Sequence, residues 1–209
     1  MEVHPIDPAA PDPRLLVQAA EVILRGGVVA FPTDSVYGLS CSLMDPLAVD
    51  FLYRLKRRPR HLAVIALIGD AESVYPLTED IPEVAETLMR RFWPGPLSLI
   101  FRASPLVPEG VRGERGTIAL RYPRHKLSLE LLRAAAGPLV SSSANLSGQP
   151  PAETAADIRR IFGNQIDLIL DGGRVSGVLP STLVDVSAGR AELVRAGAAD
   201  VSEYLAPAR

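Results

Sequence analysis

Apolar positions along the 209-residue chain recur at two periods. Leu15, Leu16, Ala19, Val22 and Ile23 return every three or four residues, the spacing of one helix face, between Asp12-Pro13 and Gly26-Gly27. An aspartate there can accept hydrogen bonds from the free N–H groups of the first turn, and a proline loses nothing at a position whose N–H has no helical partner. Asp45-Pro46 repeats that start before Val49, Leu52, Tyr53 and Leu55. Three further helices are predicted at about 83–92, 127–136 and 154–163, the second ended by Gly137 and the third capped by Thr154.

Short apolar runs fill the gaps and read as strands: 27–31, 62–68, 97–102, 117–122, 138–142, 167–170, 181–186 and 191–195. In the third, Leu97, Leu99 and Phe101 alternate and share a face. Some connections are too short for a helical crossover, so some neighbours must be antiparallel. The pattern predicts a mixed α/β (α+β) layered fold, with a twisted mixed sheet of about seven or eight strands flanked by about five helices. A chain of this length can bury one core, so one domain over 1–209 is expected.

Composition narrows the function classes. Apolar residues make up 47% and charged residues 22%, the profile of a packed soluble chain. With 22 basic against 24 acidic residues the net charge is -2, so a polyanion must be met by a local cluster of cations. The lone cysteine, Cys41, excludes an internal disulfide and a cysteine-based zinc site, and reads as a small buried hydrophobe. His4, His61 and His125 lack ligand spacing, so no permanent metal is expected. No signal-peptide pattern and no long apolar run is present, which predicts a cytoplasmic protein without a membrane partner. Neither a P-loop nor a Rossmann glycine fingerprint occurs.

Candidate chemistry gathers where strands end. The clusters are PTDSVYG at 32–38, KRRPR at 56–60, TIALRYP with Arg121, SSSANLSG at 141–148, PST at 180–182, and Arg195. In open α/β sheets ligands bind beyond strand ends, where loops on a rigid support offer side chains and free N–H groups. Read singly, PTDS serves a turn as readily as a site, and KRRPR serves as a solvated charge run. SSSANLSG, with several hydroxyls, an amide and a tight turn, favours an anion or a nucleotide. Trp93 with Pro94, Gly95 and Pro96 reads as a packed corner.

Taken together and in order, PTDSVYGL, the K-x-R-P unit of Lys56, Arg58 and Pro59, WPGPLSLIF, IALRYP, SSSANLSG, and PSTLVD followed by LVRAGA resemble the YrdC-like family, the threonylcarbamoyl-AMP synthases. The resemblance covers about residues 13–197. It implies a concave, partly basic cleft and a reaction in which L-threonine, bicarbonate and ATP give threonylcarbamoyl-adenylate and pyrophosphate. Downstream tRNA-modifying transferase proteins would take up the product, and Mg2+ would accompany the ATP. Carried over by position, Lys56 and Arg58 are the catalytic candidates. Ser35, Arg121, Ser143 and Ser181 would meet threonine, and Lys56, Arg58, Thr117, Asn145 and Arg195 would meet ATP. The chain departs from the family pattern at Ser35, usually threonine, and at Leu62, Leu67 and Glu153; without the extra C-terminal domain of longer members it resembles the short bacterial form. The alternatives are a divergent paralogue, or a protein that binds double-stranded RNA or tRNA without synthase activity.

Overall fold

The computed structural model of the chain describes residues 1–60, 62, 64–113, 115–175 and 179–206. Five α-helices form where helical periodicity predicts them: α1 (Pro13–Leu24), α2 (Pro46–Leu55), α3 (Glu83–Phe92), α4 (Lys126–Ala134) and α5 (Ala155–Phe162). The caps act as expected. Asp12 accepts from Arg14 N at 2.9 Å, Asp45 from Leu47 N at 2.9 Å, and Thr154 from Asp157 N at 3.1 Å. Helix α4 stops two residues earlier than its predicted end, because Ala136 already adopts a left-handed φ of 51°.

The described strands are β1 (Glu2–Pro5), β2 (Val29–Pro32), β3 (Tyr37–Ser42), β4 (Ile65–Leu67), β5 (Leu97–Arg102), β6 (Thr117–Arg121), β7 (Leu139–Ser143), β8 (Leu168–Asp171), β9 (Thr182–Asp185) and β10 (Glu192–Arg195). They form one mixed sheet in the order β1-β8-β2-β3-β7-β4-β6-β5-β9-β10. The fold class is as expected, with ten described strands in place of the eight runs read as strands. The two unforeseen strands are β1 and β3. The first is an edge strand, mostly exposed and ending in a proline, so it shows no apolar run. The second, YGLSCS, reads as a turn by its glycine and serines, yet it alternates Tyr37, Leu39 and Cys41 against Gly38, Ser40 and Ser42.

That alternation sets the layers. On one face Tyr37, Leu39, Cys41, Leu99, Phe101 and Leu120 join α2, α3 and α5 in the larger core. On the other, Val29, Phe31, Leu139, Leu168 and Leu170 pack under α1 and α4 in a smaller core. Helices α1 and α4 touch each other and cover the part of this face built from β8, β2, the start of β7 and Leu67 at the end of β4. Over β6, β5 and β9 the same face carries no described helix, and that bare surface, with Ile65 and Leu67 at its margin, is the floor of a cleft.

Candidate active site

The cleft has a volume of about 430 Å³. Its floor is made of alternate residues from strands whose other residues are core: Ile65 and Leu67, Ile100, Thr117 and Ala119, Leu183 and Asp185. Seven of the nine residues singled out from the sequence line it: Ser35, Arg58, Thr117, Arg121, Ser143, Ser181 and Arg195. Lys56 and Asn145 do not; Lys56 is buried behind the wall. Arg115, Asp34 and Asp185, which received no site role from the sequence, line it as well.

The split between Lys56 and Arg58 comes from how α2 ends. Arg57 takes a left-handed φ of 50°, Arg57 N donates to Arg54 O at 3.0 Å, and Arg58 N donates to Tyr53 O at 2.9 Å. This paired closure reverses the chain in one residue, so Lys56 turns inward while Arg58 reaches the cleft. Lys56 is 1% exposed. Its ammonium donates to the backbone oxygens of Ser143 and, at 2.8 Å, of Asn145, with Asn145 Oδ1 at 3.4 Å. Burial, and after it the charge of Arg58, pulls the Lys56 ammonium down to about 7. The lysine thus holds the serine-rich loop from beneath. Asn145 completes the hold: its amide donates to Leu146 O and Gln149 O, and its oxygen accepts from the Ser143 hydroxyl.

Thr33 shapes the turn between β2 and β3. Its hydroxyl donates to Val36 O at 2.6 Å and accepts from Ser35 N at 3.2 Å. Ser35 is thereby presented on the cleft wall, and beside it Asp34 crosses to Arg121, Oδ2 to Nη2 at 2.5 Å. Arg121 is 6% exposed, and its Nε donates to Gly95 O at 3.0 Å. The WPGP corner is therefore more than packing, because it orients this guanidinium. Burial lowers the Arg121 pKa, and the Asp34 carboxylate opposes the shift. His125 lies near the same pair; burial lowers its pKa, Asp34 raises it and Arg121 lowers it.

At the edge of the sheet, β10 bulges. Leu193 pairs with Val184 but Arg195 pairs with Leu183, so the extra residue turns Arg195 onto the cleft face. Its guanidinium donates to Ser181 O and to the Ser181 hydroxyl, which also meets Ser98 Oγ at 2.9 Å. Gly197 permits this approach, since a Cβ there would stand 2.3 Å from Pro180 O. Desolvation and then the charges of Arg58 and Arg121 lower the Arg195 pKa, which places three guanidinium groups in one field. Leu62 and Leu67 both line the cleft, while Glu153 pairs with Arg174 at 2.6 Å away from it.

The alternation of IALR exposes Arg121 in the sequence; nothing in the sequence marks the bulge that aims Arg195. Among the described residues, no three His, Cys, Asp or Glu side chains gather as metal ligands. No described helix is long and apolar enough to cross a membrane.

A layered α/β fold with arginines and hydroxyls over one bare stretch of sheet defines a cleft whose lining carries more positive than negative side chains. The Sua5/YciO/YrdC family model, described as "Telomere recombination", matches residues 21–197, and the chain belongs to this family of nucleotidyltransferase enzymes. A threonylcarbamoyl-AMP synthase of Marinobacter nauticus is 36% identical over 185 residues, covering 88% of this chain and 97% of the relative. One of Pyrococcus abyssi is 37% identical over 185 residues, and there the match spans 54% of the relative's length. The crystal structure of P. abyssi Sua5 complexed with L-threonine superposes with a TM-score of 0.90 at 34% identity, covering 97% of this chain and 59% of that one.

Proposed function

We propose that the chain is a threonylcarbamoyl-AMP synthase that joins L-threonine, bicarbonate and ATP and releases pyrophosphate. The observation that carries this reading is the meeting, over one bare floor, of Arg121, Ser35, Arg58 and Arg195. The relatives' shared activity and the threonine complex of the solved neighbour support it.

The reaction needs no covalent enzyme intermediate. The threonine nitrogen, once deprotonated, attacks the carbon of CO2, releasing a proton, or of bicarbonate, with water leaving; a carbamate oxygen then attacks the α-phosphorus, and the bond to the β-phosphate breaks as pyrophosphate leaves. Such chemistry depends on holding three reactants in line and on stabilising the charge that moves to the leaving group. In this reading Arg121 takes the threonine carboxylate as a planar fork, and the Ser35, Ser143 and Ser181 hydroxyls face the amino acid. Arg58 and Arg195, with Thr117 and Asn145, serve the nucleotide. Lys56 acts through its hold on the Ser143 and Asn145 carbonyls. Magnesium enters with ATP, its ligands mainly phosphate oxygens and water. The chain works as one domain over 1–209 in the cytoplasm, and its product passes to downstream tRNA-modifying transferase proteins.

The test is pyrophosphate release from ATP with threonine and bicarbonate added singly and together. Release that needs both is expected; release indifferent to threonine sinks the reading. Salt-dependent tRNA binding without threonine-dependent ATP use would favour the RNA-binding alternative.

A further inference from the structure

Among the described residues, two buried side-chain oxygens lack a hydrogen-bond partner, and one of them, Asp34 Oδ1, belongs to a residue that lines the cleft. The other oxygen of that carboxylate is bound to Arg121 at 2.5 Å. A buried carboxylate oxygen without a donor is unfavourable, so its position calls for a donor that arrives from outside the protein. The cleft's charge says what kind. Arg58, Arg115, Arg121 and Arg195 line it, and among the described residues only Asp34 and Asp185 oppose them. Asp185 is already engaged, its Oδ1 accepting from Ser187 N at 2.9 Å and from the Ser187 hydroxyl at 2.6 Å. Guanidinium groups alone would attract the carboxylate of an amino acid and repel its ammonium. A zwitterion needs one cation and one anion side by side, and Arg121 with Asp34 is such a pair.

We propose that Asp34, fixed by Arg121 through Oδ2 and unpartnered at Oδ1, binds the α-ammonium of the amino-acid substrate while Arg121 binds its carboxylate. This rests on the synthase reading. Asp34 serves as a selector for amino acids over other small carboxylates. Thr33 assists by pinning the turn, since its hydroxyl engages Val36 O and Ser35 N on either side of the aspartate's neighbour.

The experiment is calorimetric titration of the purified chain with L-threonine and with 2,3-dihydroxybutanoate, which keeps the carboxylate and both carbons of the side chain but replaces the ammonium by a hydroxyl. Wild type, Asp34→Asn and Arg121→Lys are compared, with folding checked by thermal melting. Wild type should favour threonine by roughly tenfold or more, as expected for a buried charge-assisted contact. Asp34→Asn should shrink that preference to about threefold or less, and Arg121→Lys should weaken both ligands while leaving the preference in place. An Asp34→Asn protein that melts normally and keeps the full preference overturns the ammonium role and leaves Asp34 as a prop for Arg121. A wild-type chain that binds neither ligand, and whose ATP use ignores threonine, overturns the synthase reading itself.

Discussion

One face of the sheet does two jobs. Over β2 and β8 it carries Val29, Phe31, Leu168 and Leu170 beneath α1 and α4; over β6 and β9 it carries Thr117, Ala119, Arg121, Leu183 and Asp185 beneath nothing. The period of two is the same in both halves, and so is the packed core on the reverse side. Cover makes the difference. Under helices a polar side chain would lose water without gaining a partner, so those positions are apolar throughout. Where no helix lies, the same positions can hold charge and hydroxyl groups, and a ligand can later provide what the helices provide elsewhere.

Two substitutions probe that contrast most strongly. Phe31→Ala, in the covered half, should cost about 3–5 kcal/mol of stability, because a fully buried aromatic leaves a cavity. Its melting temperature should fall by on the order of 10 °C, with the KM values of the folded enzyme unchanged. Arg121→Ala, in the bare half, should lower kcat/KM for threonine by roughly 100-fold or more while the KM for ATP moves little. If Arg121→Ala behaved like Phe31→Ala, losing stability but keeping threonine affinity, the bare half would be ordinary core. A smaller effect is expected of Arg58→Ala: about tenfold in the KM for ATP, near 1.4 kcal/mol, with threonine binding measured alone unchanged. A threonine defect equal to the ATP defect would show that threonine and ATP do not occupy separate subsites.

The packed parts of the fold were legible in the sequence because their signals are local. Asp12-Pro13 and Asp45-Pro46 start helices by satisfying the N–H groups next to them, and Leu97, Leu99 and Phe101 declare their shared face. The bare half was legible only in part. Seven of the nine residues carried over by motif line the cleft, but the motif K-x-R treats Lys56 and Arg58 as a pair, and the left-handed Arg57 sends them to different places. Arg195 reaches the cleft through a bulge that no composition announces. In the sequence Asp34 serves a turn as readily as a site, because aspartate favours turns for local reasons; its contact with Arg121, 87 positions away, exists only once the sheet is assembled.

Lys56 belongs to neither half, being as buried as the covered positions and as polar as the bare ones, and it gives the finest test of the contrast. In the folded chain burial and Arg58 bring its pKa to about 7, whereas the unfolded lysine keeps its proton up to its ordinary 10.5. Between those values the unfolded state binds more protons than the folded state, so stability should rise with pH across that window. The slope cannot exceed about 1.4 kcal/mol per pH unit for one group. Lys56→Met removes the titrating group, so the difference in melting temperature between wild type and Lys56→Met should shift in favour of wild type from pH 7 to pH 9. The opposing influence is the cage of oxygens from Ser143 and Asn145, which stabilises the charged ammonium. A difference that stays flat from pH 7 to pH 9 would mean that this cage outweighs burial, and that the serine-rich loop is held by a full positive charge throughout the neutral range.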